Sequence, residues 1–191
     1  MCLIIYSPSG HIPRKHLQRG LKANANGWGF MVAHRGQLHI ERGMESRSFW
    51  AAWRNKPSGS VVFHSRIGTH GGIDLDNCHP FRLDAKHGDV AMAHNGMIHA
   101  LPKHSTMSDT RILVRMLDLL PHGFMEDGGT LNLVAAFIGH SKLVFLTGGG
   151  EVTMVNEHLG HWHDNRWYSN HSYQPPVLES LKTFGMGFFA K

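Results

Sequence analysis

The sequence predicts a single α+β domain, and three observations carry that expectation. Its 191 residues fall within the roughly 100–200 typical of one domain. Short apolar runs bounded by turn residues recur along the chain, whereas helical stripes are few. Strand and helix signals do not alternate in the βαβ manner, so layered sheets with segregated helices are expected. No linker, repeat or low-complexity tract divides the chain, and residues 2–191 read as one unit from which Met1 is removed.

The elements follow in order. Residues 2–6 (CLIIY) read as a short buried strand stopped at Ser7-Pro8. Strands are expected at 29–33, 37–41 and 60–65, with a turn at Arg35-Gly36. Residues 47–54 suit a short helix carrying Trp50 and Trp53 on one face. A strand at 89–94 ends in the turn dipeptide Asn95-Gly96. Ser108 suits an N-cap, with Asp109 in the first turn of a helix over 109–120. Its stripe is Ile112, Leu113, Met116, Leu117 and Leu120, and Pro121 stops it. Residues 142–147 and 151–156 form a hairpin around Gly148-Gly149-Gly150, and 167–173 is one more strand or extended turn. Residues 121–140 show no defined element. Trp28, Trp162 and Trp167 are expected to line a pocket.

Composition excludes several classes. At 41% apolar and 17% charged residues the chain is too apolar for intrinsic disorder. No run reaches the ~18–20 apolar residues of a membrane span. The opening MCLIIYSPSG lacks a basic leader and breaks at Pro8, so a cytoplasmic protein is expected. A net charge of +5 could mark an anionic partner. Lys and Arg are scattered, however, which argues against nucleic acid. Cys2 and Cys78 are too few for a disulfide framework and fit a reducing compartment.

Four places carry candidate chemistry. If Met1 is removed, Cys2 presents a thiol beside its own α-amine, so one residue supplies nucleophile and base. A buried cysteine in an apolar first strand would look the same. The run His64-Ser65-Arg66-Ile67-Gly68-Thr69-His70-Gly71-Gly72 leaves a strand for a glycine-rich loop. Its arginine can hold a carboxylate through a bidentate pair, or be structural. At Asn95-Gly96 a side-chain amide and a backbone N–H can converge as an oxyanion hole, or form an ordinary turn. Asp109 can bind an ammonium or serve the helix dipole. His158, His161, His163 and Asp164 are close enough to share a metal, but metal sites usually draw on two elements, and thiol chemistry needs none. His64, His70, His94 and His99 are expected to hydrogen-bond in or around the site. Cys78 beside His79 is not expected to form a dyad, because neighbours on a strand point to opposite faces.

The order of these motifs resembles the class II glutamine amidotransferase domain, an N-terminal-nucleophile hydrolase. The resemblance runs through Cys2, HSRIGTHG, Asn77-Cys78-His79-Pro80-Phe81, HNG and Ser108-Asp109-Thr110. Gly27-Trp28-Gly29-Phe30 and Trp167-Tyr168-Ser169-Asn170 resemble segments of compact stand-alone members. The resemblance implies a four-layer αββα sandwich that hydrolyses the side-chain amide of L-glutamine through a cysteinyl thioester, without a cofactor. Cys2 would be the nucleophile and Asn95 and Gly96 the oxyanion hole. Arg66 would bind the α-carboxylate and Asp109 the α-ammonium, with Thr69 and His70 contacting substrate and His79 supporting. Glutamine is a zwitterion, and Arg66 and Asp109 offer a cation and an anion for its poles. Several family members carry Trp where Ile67 stands, and no propeptide or acceptor domain is apparent, so ammonia is expected to pass to a separate synthetase or acceptor-site protein. The alternatives are an amidase acting on another amide and a catalytically silent binding module.

Overall fold

The computed structural model describes residues 2–68 and 71–175. Two antiparallel sheets lie face to face. One holds β1 (Leu3–Ser7), β2 (Trp28–His34), β3 (Gln37–Gly43), β4 (Val61–Ser65), β9 (His161–His163) and β10 (Arg166–Tyr168) in the order β3-β2-β4-β1-β10-β9. The other holds β5 (Phe81–Arg82), β6 (Val90–Asn95), β7 (Lys142–Thr147) and β8 (Val152–Val155) in sequence order.

Side-chain alternation along the strands builds the layers. Leu3 and Ile5 of β1, Phe30 and Val32 of β2, and Phe63 of β4 pack against α1 (Arg14–Ala23) and α2 (Ser46–Asn55) through Leu17, Leu21 and Phe49. Their neighbours Ile4, Tyr6, Met31 and Val62 face the other way, onto Ala91, Ala93, Val144 and Leu146 of the second sheet. That sheet's outer residues Val90, Met92, Leu143 and Phe145 bury against α3 (Asp109–Leu117) and α4 (Gly128–Ile138). The result is helix, sheet, sheet, helix: the expected αββα sandwich.

Apart from 167–173, every expected strand is present within a residue or two, as are the helices near 47–54 and 109–120. Ser108 caps α3 by accepting the Arg111 N–H at 3.3 Å. Four features of the elements differ from the sequence expectation. Met116 is 40% exposed rather than buried in the α3 stripe. Helix α1 was not expected, because its buried face is only His16, Leu17, Gly20 and Leu21. Gly20 lets that helix close on the sheet, since a Cβ there would lie 2.9 Å from Leu3 Cδ2. Residues 121–140 contain α4, capped by Asp127 accepting the Thr130 N–H at 2.9 Å; it is apolar around most of its circumference and so shows no clean stripe. Finally, 167–173 contributes only the end of β10, which pairs with β9 across a turn at Asp164-Asn165, where φ is 48° and 55°.

The tryptophans do not line the site. Trp28 and Trp167 are buried in the two faces of the first sheet, and Trp162 is 50% exposed, edge-on to Tyr6.

Candidate active site

Cys2 enters β1 beside the end of β4, where Leu3 pairs with Ser65. Its sulfur accepts the Ile67 N–H at 3.4 Å and lies 3.6 Å from the Ile67 carbonyl. Two asparagine amides hold its carbonyl. Asn95 Nδ2 donates to it from the end of β6, and Asn170 Nδ2 from the loop after β10, at 2.6 Å. Asn170 is oriented in turn by Ser172, whose N–H and hydroxyl donate to Oδ1 at 3.0 and 2.7 Å. The first residue of one sheet is thereby tied to the second sheet.

A small cavity opens between Cys2, Arg66, Ile67, His79, Gly96 and Asp109. At about 20 Å³ it has room for roughly one water. Arg66 is 3% exposed; its Nη2 donates to the Gly72 carbonyl at 3.0 Å. Its backbone continues the sheet, with Arg66 N–H to the Gly27 carbonyl at 2.8 Å and Asn26 N–H to the Arg66 carbonyl at 2.9 Å. Asp109, at the first turn of α3, accepts the Ile98 N–H at 3.0 Å and the Thr110 N–H at 2.8 Å. Gly96 has φ +146°, and a Cβ there would come within 2.7 Å of the Ser141 Cα, so only glycine fits. Asn95 is fully buried; its amide nitrogen serves the Cys2 carbonyl and its Oδ1 has no hydrogen-bond partner among the described residues. Thr69 and His70 lie outside the described residues.

Three residues passed over in the sequence organise this end of the sandwich. Asn77 donates to the Thr106 carbonyl at 2.8 Å and to the Gly72 carbonyl at 3.3 Å, and accepts the Ser108 N–H at 2.8 Å. It thereby ties the glycine-rich loop to the start of α3. Asn26 accepts the Gly68 N–H at 3.0 Å, and Asn170 holds Cys2 as described. The only available signal was that Asn77 and Asn170 fall inside the family-like motifs.

Burial raises the Cys2 thiol above its ordinary value, against the opposing pull of the Ile67 N–H and the Arg66 charge. The sulfur therefore needs a base. Cys78 is raised by burial as well, and its sulfur faces the Gly43 carbonyl and Met44. His79, by contrast, turns towards the cavity, so the two do not form a pair.

Behind the cavity three imidazoles are buried together. The His64 and His79 rings lie 4.1 Å apart and His79 and His94 6.1 Å apart. His79 Nδ1 accepts the His94 N–H at 3.3 Å, and His94 Nδ1 meets Thr110 Oγ1 at 2.7 Å. By distance and angle, neither ring nitrogen of His64 makes a hydrogen bond among the described residues. His99, expected near the site, is exposed on a turn. In the histidine-rich segment 158–164, His161 bonds Tyr173 Oη at 3.0 Å and stacks on His171. Among the described residues no three His, Cys, Asp or Glu side chains are placed to hold a metal.

Burial pulls His64 down to about 3 and His79 well below its ordinary value, so both are neutral in the folded protein at pH 7. Unfolding restores their ordinary basicity near 6.5, and below that pH the unfolded chain binds more protons. Stability is thus full above about pH 6.5 and falls as the pH drops towards 3, by about 1.4 kcal/mol per pH unit for each such imidazole. Urea midpoints measured from pH 7 to 4.5 should fall accordingly, and His64→Phe should flatten the slope; a pH-independent midpoint would contradict the buried neutral cluster.

No family model matches the chain. The amidophosphoribosyltransferases of Rattus norvegicus and Homo sapiens are each 35% identical to it over 77 residues, covering 35% of this chain and 15% of theirs. That of Drosophila melanogaster is 31% identical over 104 residues, covering 48% and 19%. The match thus spans less than a fifth of these relatives' length. Among solved structures, the glutamine phosphoribosylpyrophosphate amidotransferase from B. subtilis superposes with a TM-score of 0.62 at 17% identity, over 88% of this chain and 41% of that one. The allosteric regulatory enzyme of purine biosynthesis superposes with a TM-score of 0.65 at 15% identity, with the same coverage. The fold is that of the N-terminal-nucleophile hydrolases. Over the matched stretch the chain is similar to the amidophosphoribosyltransferases.

Proposed function

We propose that this chain hydrolyses the side-chain amide of L-glutamine, with Cys2 as the nucleophile. The observation that carries the reading is the meeting, around one cavity, of Cys2, Arg66, Gly96 and Asp109 from four separate chain segments. Arg66 pairs with the α-carboxylate and Asp109 with the α-ammonium of the substrate, which presents the amide carbon to the sulfur. Thr69 and His70 are assigned to the same substrate.

The Cys2 α-amine, exposed by removal of Met1, takes the thiol proton. The sulfur attacks the amide carbon, and the oxygen that becomes negative is met by Asn95 Nδ2 and the Gly96 N–H. The C–N bond then breaks, and the proton held by the α-amine goes to the departing nitrogen, releasing ammonia and leaving a thioester. Water attacks the thioester, giving glutamate and free Cys2. With the thiol raised by burial, kcat/KM should climb with pH through neutrality. The cavity of about 20 Å³ is too small for glutamine, so its lining must open on binding.

No helix of the described residues is long and apolar enough to cross a membrane. We infer a cytoplasmic setting, with the ammonia passed to a synthetase or other acceptor-site protein.

Ammonia release from L-glutamine by protein whose mature N-terminus has been verified by mass spectrometry tests the activity. Release from L-glutamine but not from D-glutamine supports the reading. Turnover confined to other amides would favour an amidase of different substrate, and silence towards all of them a binding module. Arg66→Lys should raise KM roughly tenfold or more with a smaller change in kcat, because a point charge replaces a planar fork. An unchanged KM would move the carboxylate elsewhere.

A further inference from the structure

On the flank of the sandwich, separate from the cavity at Cys2, a groove of about 490 Å³ runs between the edge strands β3 and β5 and helix α3. That volume lies within the range of small-molecule sites, roughly 300–1,000 Å³. Four arginines line it: Arg42, Arg82, Arg111 and Arg115. None of its lining residues is acidic.

Among the described residues only one of these charges is paired with a carboxylate. Arg82 pairs with Asp89 and also donates to the Leu38 carbonyl. Arg42 donates to the Cys78 carbonyl at 3.1 Å and sits 5.9 Å from the centre of the Phe81 ring. Among the described residues, no carboxylate lies within salt-bridge distance of Arg42, Arg111 or Arg115. Arg111 and Arg115 are four apart on α3, where like charges repel and cost stability. The contrast with the groove beside α2 is instructive. There Arg14, Arg47 and Arg54 share the lining with Glu45, and Arg14 stacks on Trp50.

The rest of the lining is apolar: Ile40, Pro80, Phe81 and Val114. Several guanidinium forks around one space suit a tetrahedral, multiply charged oxyanion better than a single carboxylate, and the apolar lining suits a flat apolar body. We propose that this groove is a binding site for a small phosphorylated molecule with an aromatic or otherwise apolar moiety. The inference does not depend on the glutamine reading.

The test uses 1-naphthyl phosphate as probe, titrated into the full chain by calorimetry and by amide chemical shifts. Saturable one-to-one binding is expected, with shifts at Phe81, Arg111 and Val114 and an affinity that falls with added salt. 1-Naphthol should bind at least tenfold more weakly. The doubly substituted Arg111→Gln, Arg115→Gln protein should lose roughly tenfold or more in affinity. The charge-matched Arg19→Gln, Lys22→Gln protein, altered on α1, should change less than twofold. Equal losses in both variants would reduce the effect to overall charge and overturn the site. Equal binding of naphthol would remove the phosphate from the argument and overturn it too. Binding of an oligoglutamate peptide at the same residues, with no response to the naphthyl phosphate, would make the groove a protein-docking face and refute the proposal.

Discussion

Cys2→Ala should abolish ammonia release from L-glutamine, by about 10⁴-fold or more, because it removes the sulfur proposed to form the covalent intermediate. Both thiols of the chain are raised by burial, so acidity alone does not separate them. Access does. Cys78 is fully buried and its sulfur is turned onto Gly43 and Met44, whereas Cys2 is partly exposed and lines the cavity. A glutamine analogue bearing an electrophilic ketone should therefore label Cys2, and Cys78→Ala should retain both labelling and turnover. Urea denaturation of the Cys2→Ala protein checks that lost activity is not lost structure. Labelling at Cys78, or turnover surviving in Cys2→Ala, would overturn the assignment.

Asn95→Ala is the second large effect, an expected fall of about 10²–10³ in kcat with a much smaller change in KM. The amide nitrogen of Asn95 already donates to the Cys2 carbonyl, so the substitution removes both a brace on the nucleophile and the donor proposed for the developing oxyanion. Asn170→Ala separates the two contributions. Asn170 donates to the same Cys2 carbonyl at 2.6 Å, yet has no part in the proposed charge stabilisation. If Asn95 stabilises the oxyanion, Asn170→Ala should lower kcat by about tenfold at most, the cost of a lost positioning hydrogen bond. Equal losses in the two variants would reduce Asn95 to holding Cys2 in place. Asn95→Asp should be at least as damaging as Asn95→Ala, since it replaces the donor by an acceptor facing two oxygens.

Many strands were legible because they are written locally, whereas the four-layer order was implied only by the family resemblance. The alternation in LIIYS and WGFMVAH sends Leu3, Ile5, Phe30 and Val32 to one side and Ile4, Tyr6 and Met31 to the other. Ser108 and Asp109 announce α3 through capping chemistry within one turn of the chain. Helix α1 was not legible for a matching reason: two leucines, a histidine and a glycine make too thin a stripe to register. In α4 the opposite holds, since apolar residues on nearly every side erase the periodicity. Tryptophans gave no guidance, because a large apolar ring can fill a core or line a pocket, and only packing decides.

The candidate site divides in the same way. Residue types and short motifs, from the HSRIG run to Asn95-Gly96 and Asp109, are properties of neighbouring positions, and the sequence alone determined which residues were put forward for the proposed chemistry. Their meeting is a long-range matter. Pairing of β1 with β4 puts Cys2 beside Arg66, stacking of the sheets brings Asn95 to its carbonyl, and the return of β10 delivers Asn170 from 168 residues away. Tertiary structure alone decided this, as it decided that Asn95 turns onto the backbone of Cys2 and that four scattered arginines share one groove. Strand pairing and burial act between segments that carry no mark of each other, so the contacts exist only once the sheets have formed.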